Sequence, residues 1–229
     1  MASAVAGVAS AALARSPGVL VLLRHGQSIS NLEKRFTGSG NSPLTSYGRE
    51  QARAAGRAMQ AKGIHFDAVF TSALDRAEET ARLALREMGH EKAAIVTDPA
   101  FNERFYGDIQ GMKRDDLAGL HGDQQVERWR HDYFERPPGG ESIAETAGRV
   151  LDAFERRVKP LLEAGQNVLI SAHCDSLRPL MVALEHVPMT DQCTFLENAV
   201  PLVYHLDEHL EIVARDVLTL GSPPADRAL

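Results

Sequence analysis

The sequence predicts an α/β domain of three layers, in which helices cover both faces of a mostly parallel sheet of about six strands. Short apolar runs, such as Val19–Leu23 and Phe66–Ser72, alternate along the chain with stretches whose apolar residues recur at helical spacing. An unbroken apolar run is typical of a strand buried on both faces, as in the interior of a parallel sheet. The 229 residues, 44% of them hydrophobic, are enough to bury one large core. We therefore predict a single domain over residues 18–229.

The elements follow from these patterns in chain order. The predicted strands are Val19–Leu23, Phe66–Ser72, Gln166–Ala172, Pro201–Leu206 and Glu211–Leu218, and we expect the last two at the edge of the sheet. The predicted helices are Ser46–Ala61, Asp75–Met88, Ser142–Ala164 and Ser176–His186. In the third helix, Ser142 and Glu145 form a capping-box pattern, and Pro160 predicts a kink or a break.

The first 17 residues are rich in Ala, Ser and Val, and Arg15 is their one positive charge. A secretory signal begins with a basic region, so we expect residues 1–17 to be a flexible extension instead. A start codon placed too early, a targeting segment and an Ala-rich helix packed on the domain are the alternatives.

Composition restricts the partners and the location. No apolar run is long enough to cross a membrane, and the formal net charge of -6 argues against nucleic acid as a partner. Cys174 and Cys193 provide neither a disulfide framework nor a metal-ligand spacing, so we expect a reducing, cytoplasmic location. We interpret Cys174 as a small buried residue, with a reactive thiol as the alternative.

Arg24 and His25 directly follow the first predicted strand, Val19–Leu23. A later strand, Gln166–Ala172, leads in the same way into His173. Open α/β sheets bind ligands at the carboxyl ends of their strands, so two parallel neighbours would bring both histidines to one edge. A neutral imidazole can accept a phosphoryl group and a guanidinium binds phosphate in a bidentate fork, which suits phosphoryl transfer. A single histidine after a strand is more often a turn residue than a catalytic one. The second copy of the arrangement favours a catalytic role for both histidines.

Two residues between these strands are further candidates. Arg76 falls in the first turn of a predicted helix, where a cation opposes the helix dipole, so a bound anion explains it better than helix stability does. The alternative is a plain surface arginine. Glu103 lies among aromatic and glycine residues and is suited to be a general acid or base tuned by partial burial. The alternative is a local salt bridge between Glu103 and Arg104.

Taken together, these motifs resemble those of a known family. They are Leu23-Arg24-His25-Gly26-Gln27-Ser28 with Asn31, Arg35-Phe36-Thr37-Gly38, Pro43-Leu44-Thr45 with Gly48, Thr71-Ser72 with Arg76-Ala77, Asn102-Glu103-Arg104 with Tyr106-Gly107, and Ala172-His173 with Ser176-Leu177-Arg178. In this order they resemble the histidine phosphatase superfamily, and within it the short-form 2,3-bisphosphoglycerate-dependent phosphoglycerate mutases. The segment 124–130 is similar to an insert of the mutases that simpler phosphatases of the superfamily generally lack.

The resemblance implies roles for five residues around a phosphoryl group. His25 would be the nucleophile that becomes phosphohistidine, and Glu103 would carry protons to and from the reacting oxygens. Arg24, Arg76 and His173 would form the charged cradle. No metal is implied, since the arginines and an imidazolium would supply the positive charge. The resemblance implies 2,3-bisphosphoglycerate as the phosphoryl primer.

The resemblance also implies a pocket for a small phosphorylated carboxylic acid, in which a mutase needs a second cationic site. The candidate residues of this pocket are Ser28, Asn31, Thr37, Gly38, Tyr106, Arg114, Arg130, His131 and Asp175.

Departures from the mutase pattern fall on the same pocket. The family usually has lysine where this chain has Arg114, arginine at His131 and asparagine at Asp175. A carboxylate beside a bisphosphate adds repulsion unless it pairs with Arg24, Arg178 or another cation.

We therefore expect a phosphohistidine enzyme that interconverts 3-phosphoglycerate and 2-phosphoglycerate in glycolysis and gluconeogenesis. The alternative is a phosphatase, favoured if Asp175 and His131 weaken the second anion site enough for water to enter. A non-catalytic phosphate-binding protein is a third hypothesis, but it has no need of a proton carrier such as Glu103. We expect a monomer or a small homo-oligomer, because a long insert of the family ahead of Gly140 is absent.

Overall fold

The computed structural model describes residues 18–187 and 196–220. The strands are β1 (Gly18–Arg24), β2 (Ala68–Thr71), β3 (Ile95–Thr97), β4 (Val168–Ala172), β5 (Pro201–Leu206) and β6 (Ile212–Val217). The α-helices are α1 (Ile29–Leu32), α2 (Ser46–Ala61), α3 (Asp75–Glu87), α4 (Arg114–His121), α5 (Asp123–His131), α6 (Ile143–Ala153), α7 (Lys159–Glu163) and α8 (Cys174–Glu185). The extension predicted for residues 1–17 and the second cysteine, Cys193, lie outside the described residues.

The strands form one mixed sheet in the order β3-β2-β4-β1-β5-β6. The pairs β1–β4, β2–β4 and β2–β3 are parallel, whereas β5 is antiparallel to both of its neighbours. The predicted six-stranded, mostly parallel sheet is therefore confirmed. One prediction was wrong: β5 does not lie at the edge of the sheet but between β1 and β6. An antiparallel strand needs no crossover helix to pair with its neighbour, so β5 can pair with both. Short β3 forms the opposite edge, and no apolar run had indicated it.

The buried strands contribute side chains alternately to two faces, as the unbroken apolar runs predict. Leu20 and Leu22 belong to the core on the face of α6 and α8, whereas Val21 and Leu23 belong to the core on the face of α2 and α3. All four side chains are fully buried. Helices therefore cover both faces of the sheet, which gives the predicted three layers.

The helix predicted over Ser142–Ala164 is divided into three parts. The Ser142–Glu145 capping box opens α6 as expected, with the Glu145 amide donating to the Ser142 hydroxyl. A π-helical turn, Phe154–Val158, then separates α6 from α7, and Pro160 is in the first turn of α7. Proline has no N–H to donate to the preceding turn, so the break occurs where the sequence predicts it.

A small cap covers the carboxyl edge of the sheet. The cap consists of α4 and α5, which pack on Phe36 and Ile109 from outside these helices. Together they form a core of their own: Phe36, Ile109, Leu117, Val126 and Trp129. The space between this cap and the strand ends is the cavity considered next.

Candidate active site

His25 leaves the sheet at the end of β1, and its amide donates to the Ala172 carbonyl of β4 at 3.0 Å. The side chain is 3% exposed, and Nδ1 lies 2.7 Å from the Gly26 carbonyl oxygen. A carbonyl only accepts, so Nδ1 carries the hydrogen and Nε2 carries the lone pair. This places a nucleophilic nitrogen on the cavity side of the ring. Gly26 permits the geometry, because a Cβ there would lie 2.2 Å from the Gly48 carbonyl oxygen.

His173 follows β4 and meets His25 at the same sheet edge, as predicted. The two ring centroids are 5.1 Å apart, and Nε2 of His173 is 2.7 Å from the Ser72 hydroxyl. No hydrogen-bond partner for the buried Nδ1 of His173 is found among the described residues. That nitrogen is therefore available to a ligand oxygen.

Both histidines are held in the neutral form. Burial lowers the pKa of His25 well below its usual value, and the charges of Arg76 and Arg24 lower it further. Burial and Arg76 also lower the pKa of His173. The surrounding protein groups alone therefore favour neutral His173 over the imidazolium that the resemblance implies. The arginines carry the positive charge, and a phosphoryl anion beside His173 would draw a proton onto it.

Arg76 is fully enclosed, which excludes a plain surface arginine. Its two terminal nitrogens donate to the Gly40 and Gly38 carbonyls at 2.8 and 2.9 Å, and its Nε donates to Nε2 of His25 at 3.3 Å. Burial lowers its pKa to about 10, so it stays charged at neutral pH. Arg24 is held from the other side, donating to the Leu196 carbonyl at 2.7 Å. The guanidinium groups are fixed before any anion arrives, which is the preorganisation that favours charge stabilisation.

Glu103 faces the same cavity from the loop after β3. Its Oε1 accepts hydrogen bonds from the Arg104 amide at 3.0 Å and the Asp175 amide at 3.2 Å. Burial, followed by the charge of Asp175, raises the pKa of Glu103 to about 7, against opposing effects of Arg76 and Arg24. A carboxyl group with this pKa can both donate and accept a proton near neutrality.

The alternative of a local Glu103–Arg104 salt bridge is wrong. The Arg104 guanidinium is buried and lies 3.0 Å from Asp175 through Nε, while its Nη2 donates to the Trp129 carbonyl at 2.6 Å. Asp175 also accepts from the Tyr106 hydroxyl at 3.0 Å. Asp175 is therefore paired, chiefly with a cation that the sequence analysis had not assigned to it.

The cavity encloses about 140 Å³, well below the roughly 300–1,000 Å³ of pockets for drug-sized ligands, and suits a small metabolite. A second group of basic side chains reaches it from the cap, the cations Arg114 and Arg130 together with His131. Glu127 binds two of these, at 2.6 Å from Arg130 and 3.2 Å from His131. The cavity is therefore cationic both at the sheet edge and on the cap side.

The structure brings nearly all of the predicted residues to this cavity. Its lining includes Arg24, His25, Asn31, Thr37, Gly38, Arg76, Glu103, Tyr106, Arg114, Arg130, His131 and Asp175. Two predicted residues, His173 and Ser28, are not among the lining residues. His173 is fully buried against the ring of His25. The buried Ser28 side chain caps α1, accepting from the Asn31 amide at 3.2 Å. Arg35 and Arg178 line it as well and had not been assigned a place there. Both residues stand within the motifs given above, and that was the signal that could have placed them in the cavity.

Cys174 lines the cavity beside His173. Burial raises the pKa of its thiol to about 11, so the thiolate is scarce at neutral pH. This argues against a reactive thiol, although Cys174 is half-buried and not the fully buried residue that the sequence predicts.

Residues 18–187 and 196–220 contain no group of three or more His, Cys, Asp or Glu side chains placed to hold a metal ion. Within the same residues, no helix has the length and apolarity needed to span a bilayer.

Fold and site together define an α/β protein in which neighbouring parallel strands present two histidines to a cradle of buried arginines. The family model of the histidine phosphatase superfamily (branch 1) matches residues 20–209. The chain belongs to this superfamily of enzymes.

Curated relatives are similar over nearly their whole length. A 2,3-bisphosphoglycerate-dependent phosphoglycerate mutase of Parvibaculum lavamentivorans is 43% identical over 203 residues, which are 88% of this chain and 97% of the relative. A second such mutase, of Methylobacterium sp. (strain 4-46), is 45% identical over 202 residues, which are 87% of this chain and 97% of the relative.

Solved structures with this fold include phosphatases. An alpha-ribazole phosphatase from Shigella flexneri has a TM-score of 0.74 at 25% identity, covering 90% of this chain and all of that one. A mycobacterial glucosyl-3-phosphoglycerate phosphatase, solved with VO3, has a TM-score of 0.73 at 26% identity, covering 89% of this chain and all of that one.

Proposed function

We propose that the protein is a phosphoglycerate mutase, which interconverts 3-phosphoglycerate and 2-phosphoglycerate through phosphorylated His25. The observation that carries the proposal is His25 at the wall of a cavity that is also lined by Glu103 and two groups of arginines, with Nδ1 on the Gly26 carbonyl so that Nε2 has the lone pair. The names of the curated relatives support the same activity.

In the step that phosphorylates the enzyme, Nε2 of His25 attacks one phosphorus of a bound phosphate ester, which for the mutase is the bisphosphorylated acid. The N–P bond forms, the bond from phosphorus to the substrate oxygen breaks, and Glu103 gives its proton to the departing oxygen. Arg76 and Arg24 stabilise the charge on the equatorial phosphoryl oxygens, and Nδ1 of His173 donates to one of them.

In the return step, the Glu103 carboxylate removes the proton from the attacking hydroxyl. The new O–P bond forms, and the electron pair of the N–P bond returns to Nε2 of His25. In a mutase the attacking hydroxyl belongs to a bound monophosphoglycerate. That acid becomes bisphosphorylated and then gives its other phosphoryl group to His25, whereas in a phosphatase water attacks. The outcome depends on how firmly the acid is held and how well water is excluded.

The cap cations support the mutase over simple hydrolysis. Arg114 and Arg130 have the charge needed for the group that is not reacting, and the acid must bind in two orientations. The same two groups of cations, with the unpartnered Nδ1 of His173, fit a bisphosphorylated acid such as 2,3-bisphosphoglycerate. When bound, that compound supplies the phosphoryl group that primes His25. A role in glycolysis and gluconeogenesis, a cytoplasmic location and a monomer or small homo-oligomer are part of the proposal.

A phosphatase acting on a small phosphorylated metabolite is the second candidate. It is favoured by the phosphatase structures that share the fold, and by Asp175, which places a carboxylate at the wall of the cavity. A non-catalytic phosphate-binding protein is disfavoured, because a binding site has no use for a carboxyl group poised at a pKa of about 7.

The decisive experiment follows two products in one reaction. Purified protein is incubated with 3-phosphoglycerate and a trace of 2,3-bisphosphoglycerate, and both 2-phosphoglycerate and free phosphate are measured. We expect fast isomerisation with little phosphate. The His25→Ala variant is expected to lose all phosphoryl transfer, and His209→Ala, which removes an exposed histidine, to keep it.

Two outcomes contradict this proposal. Phosphate release without 2-phosphoglycerate would make the protein a phosphatase and require a new search for its substrate. Residual transfer in His25→Ala would overturn the phosphohistidine mechanism itself.

A further inference from the structure

Two carboxyl groups, Glu103 and Asp175, share the wall of the cavity. They come from different elements, the loop after β3 and the first turn of α8, and the Asp175 amide donates to Oε1 of Glu103 at 3.2 Å. Neighbouring carboxyl groups do not ionise independently, and the one without a counterion keeps its proton to higher pH.

The counterions are distributed unequally between the two. Asp175 has Arg104 at 3.0 Å, the Tyr106 hydroxyl at 3.0 Å and Arg178 at 3.9 Å. Arg104 is fully buried and anchored to the Trp129 carbonyl, so it does not swing towards Glu103. Asp175 is therefore the carboxyl group of the pair that has cations in direct contact.

Glu103 has no such direct partner among the cations around it. Arg24 at the end of β1 and Arg76 in α3 act on it through space, and the guanidinium of Arg149 in α6 donates to its backbone carbonyl at 3.2 Å rather than to its carboxyl group. His25 and His173 are neutral, for the reasons given above, and the Cys174 thiol is protonated.

We propose that Asp175 is a positioning residue for proton transfer: held by Arg104 and Tyr106, it is the fixed negative neighbour that keeps Glu103 protonated for donation to the leaving oxygen. This inference rests on the proposed function, because it concerns the step in which His25 takes a phosphoryl group. The direction of the Glu103 pKa agrees with it, since burial first and the charge of Asp175 second raise that pKa to about 7.

The choice of leaving group distinguishes a role of Asp175 in proton transfer from a merely structural role. An alkoxide leaving from a phosphoglycerate needs a proton, whereas p-nitrophenolate leaves without one. Removing the charge of Asp175 lowers the pKa of Glu103, so less of the acid form is present at alkaline pH. The alkyl ester is therefore affected and the aryl ester is not.

The experiment measures the single-turnover phosphorylation of His25 by 2,3-bisphosphoglycerate and by p-nitrophenyl phosphate, at saturating donor between pH 5.5 and 9. In Asp175→Asn, which keeps the size of the side chain, we expect the alkaline fall for 2,3-bisphosphoglycerate to move about one unit to lower pH. The rate at pH 8 then drops about tenfold, with little change at pH 5.5. The rate with p-nitrophenyl phosphate should change less than twofold at either pH.

Two controls complete the design. Glu208→Gln removes one exposed carboxylate far along the chain, at the β5–β6 turn, and should leave both profiles unchanged. In a Glu103→Gln background, Asp175→Asn should produce no further shift, since the effect passes through Glu103.

An unchanged profile in Asp175→Asn, or equal losses with both donors, would overturn the inference. A wild-type protein in which neither donor phosphorylates His25 would instead refute the proposed function, so the two failures are distinguishable.

Discussion

Glu103 shows how a single residue links the chemistry of the cavity to stability. In the folded protein its pKa is raised from 4.5 to about 7, chiefly by burial. The folded state therefore binds more protons than the unfolded chain between these values, and stability falls as pH rises through that window. Above pH 7, the ionised carboxylate costs about 3 kcal/mol, taking 1.36 kcal/mol for each pKa unit.

Replacing Glu103 by glutamine should remove this cost. We expect Glu103→Gln to match the wild type near pH 4.5 and to be about 2–3 kcal/mol more stable at pH 8.5, because glutamine imitates the protonated acid. Urea unfolding at the two pH values measures the difference. Glu91→Gln, at an exposed position, is the matched control, and a gap that does not change with pH would contradict the expectation.

The reactive residues were the predictable part of the site. His25 and His173 follow apolar runs that identify parallel strands, and the register Arg24 with Ala172 brings them together. Asp175 with Arg104 was not predictable, because that contact depends on how α8, the loop after β3 and the cap pack in space. Sequence spacing does not record such packing.

Among the elements, α2 and α3 show how small residues determine a packing distance. They meet through residues such as Ala55, Gly56 and Ala84, and a Cβ added at Gly56 would lie 2.3 Å from the Ala84 carbonyl oxygen. The contact is with backbone, so neither helix can relieve it by turning a side chain.

Gly56→Ala should therefore destabilise the protein although alanine is the better helix former. We expect a net loss of about 1–3 kcal/mol from overpacking, against a gain of up to about 1 kcal/mol from helix propensity. Gly148→Ala in α6 is the matched control, because a Cβ there meets nothing within 4 Å and should stabilise. Thermal unfolding of both variants measures the two effects, and similar shifts would show that α2 and α3 can move apart.

The elements also show where the sequence was insufficient. Helices α2 and α3 begin as predicted, and α3 ends within a residue of the prediction, because their apolar faces repeat at helical spacing. The strand β3 has three residues, two of them exposed, and so carries no apolar signal. The position of β5 inside the sheet depends on pairing with both β1 and β6, which an apolar run alone does not specify.

The whole molecule combines two large cores on the faces of the sheet with the smaller core of the cap. Trp129 belongs to the cap core and is the chain's one tryptophan. Its carbonyl also accepts the hydrogen bond from Arg104, which joins the cap to the floor of the cavity. Tryptophan fluorescence therefore reports on the cap, whereas circular dichroism reports on the whole chain.

We expect the cap to open before the sheet unfolds, because its core is small. In urea, the fluorescence transition should precede the circular dichroism transition, and inorganic phosphate should bring the two closer. A ligand at 100 times its dissociation constant stabilises the closed form by about 2.7 kcal/mol. Sodium chloride at equal ionic strength is the control. Coincident transitions without phosphate would mean that the cap and the sheet unfold as one unit.

The strand order has a consequence for synthesis. The first strand, β1, lies between β4 and β5, whose residues Val168–Ala172 and Pro201–Leu206 leave the ribosome last but for β6. The centre of the sheet is thus built from the two ends of the chain, and such distant contacts form slowly. His25, although made early, has no neighbouring β4 until most of the chain exists. A nascent or truncated protein that lacks β4 therefore does not have the assembled cavity.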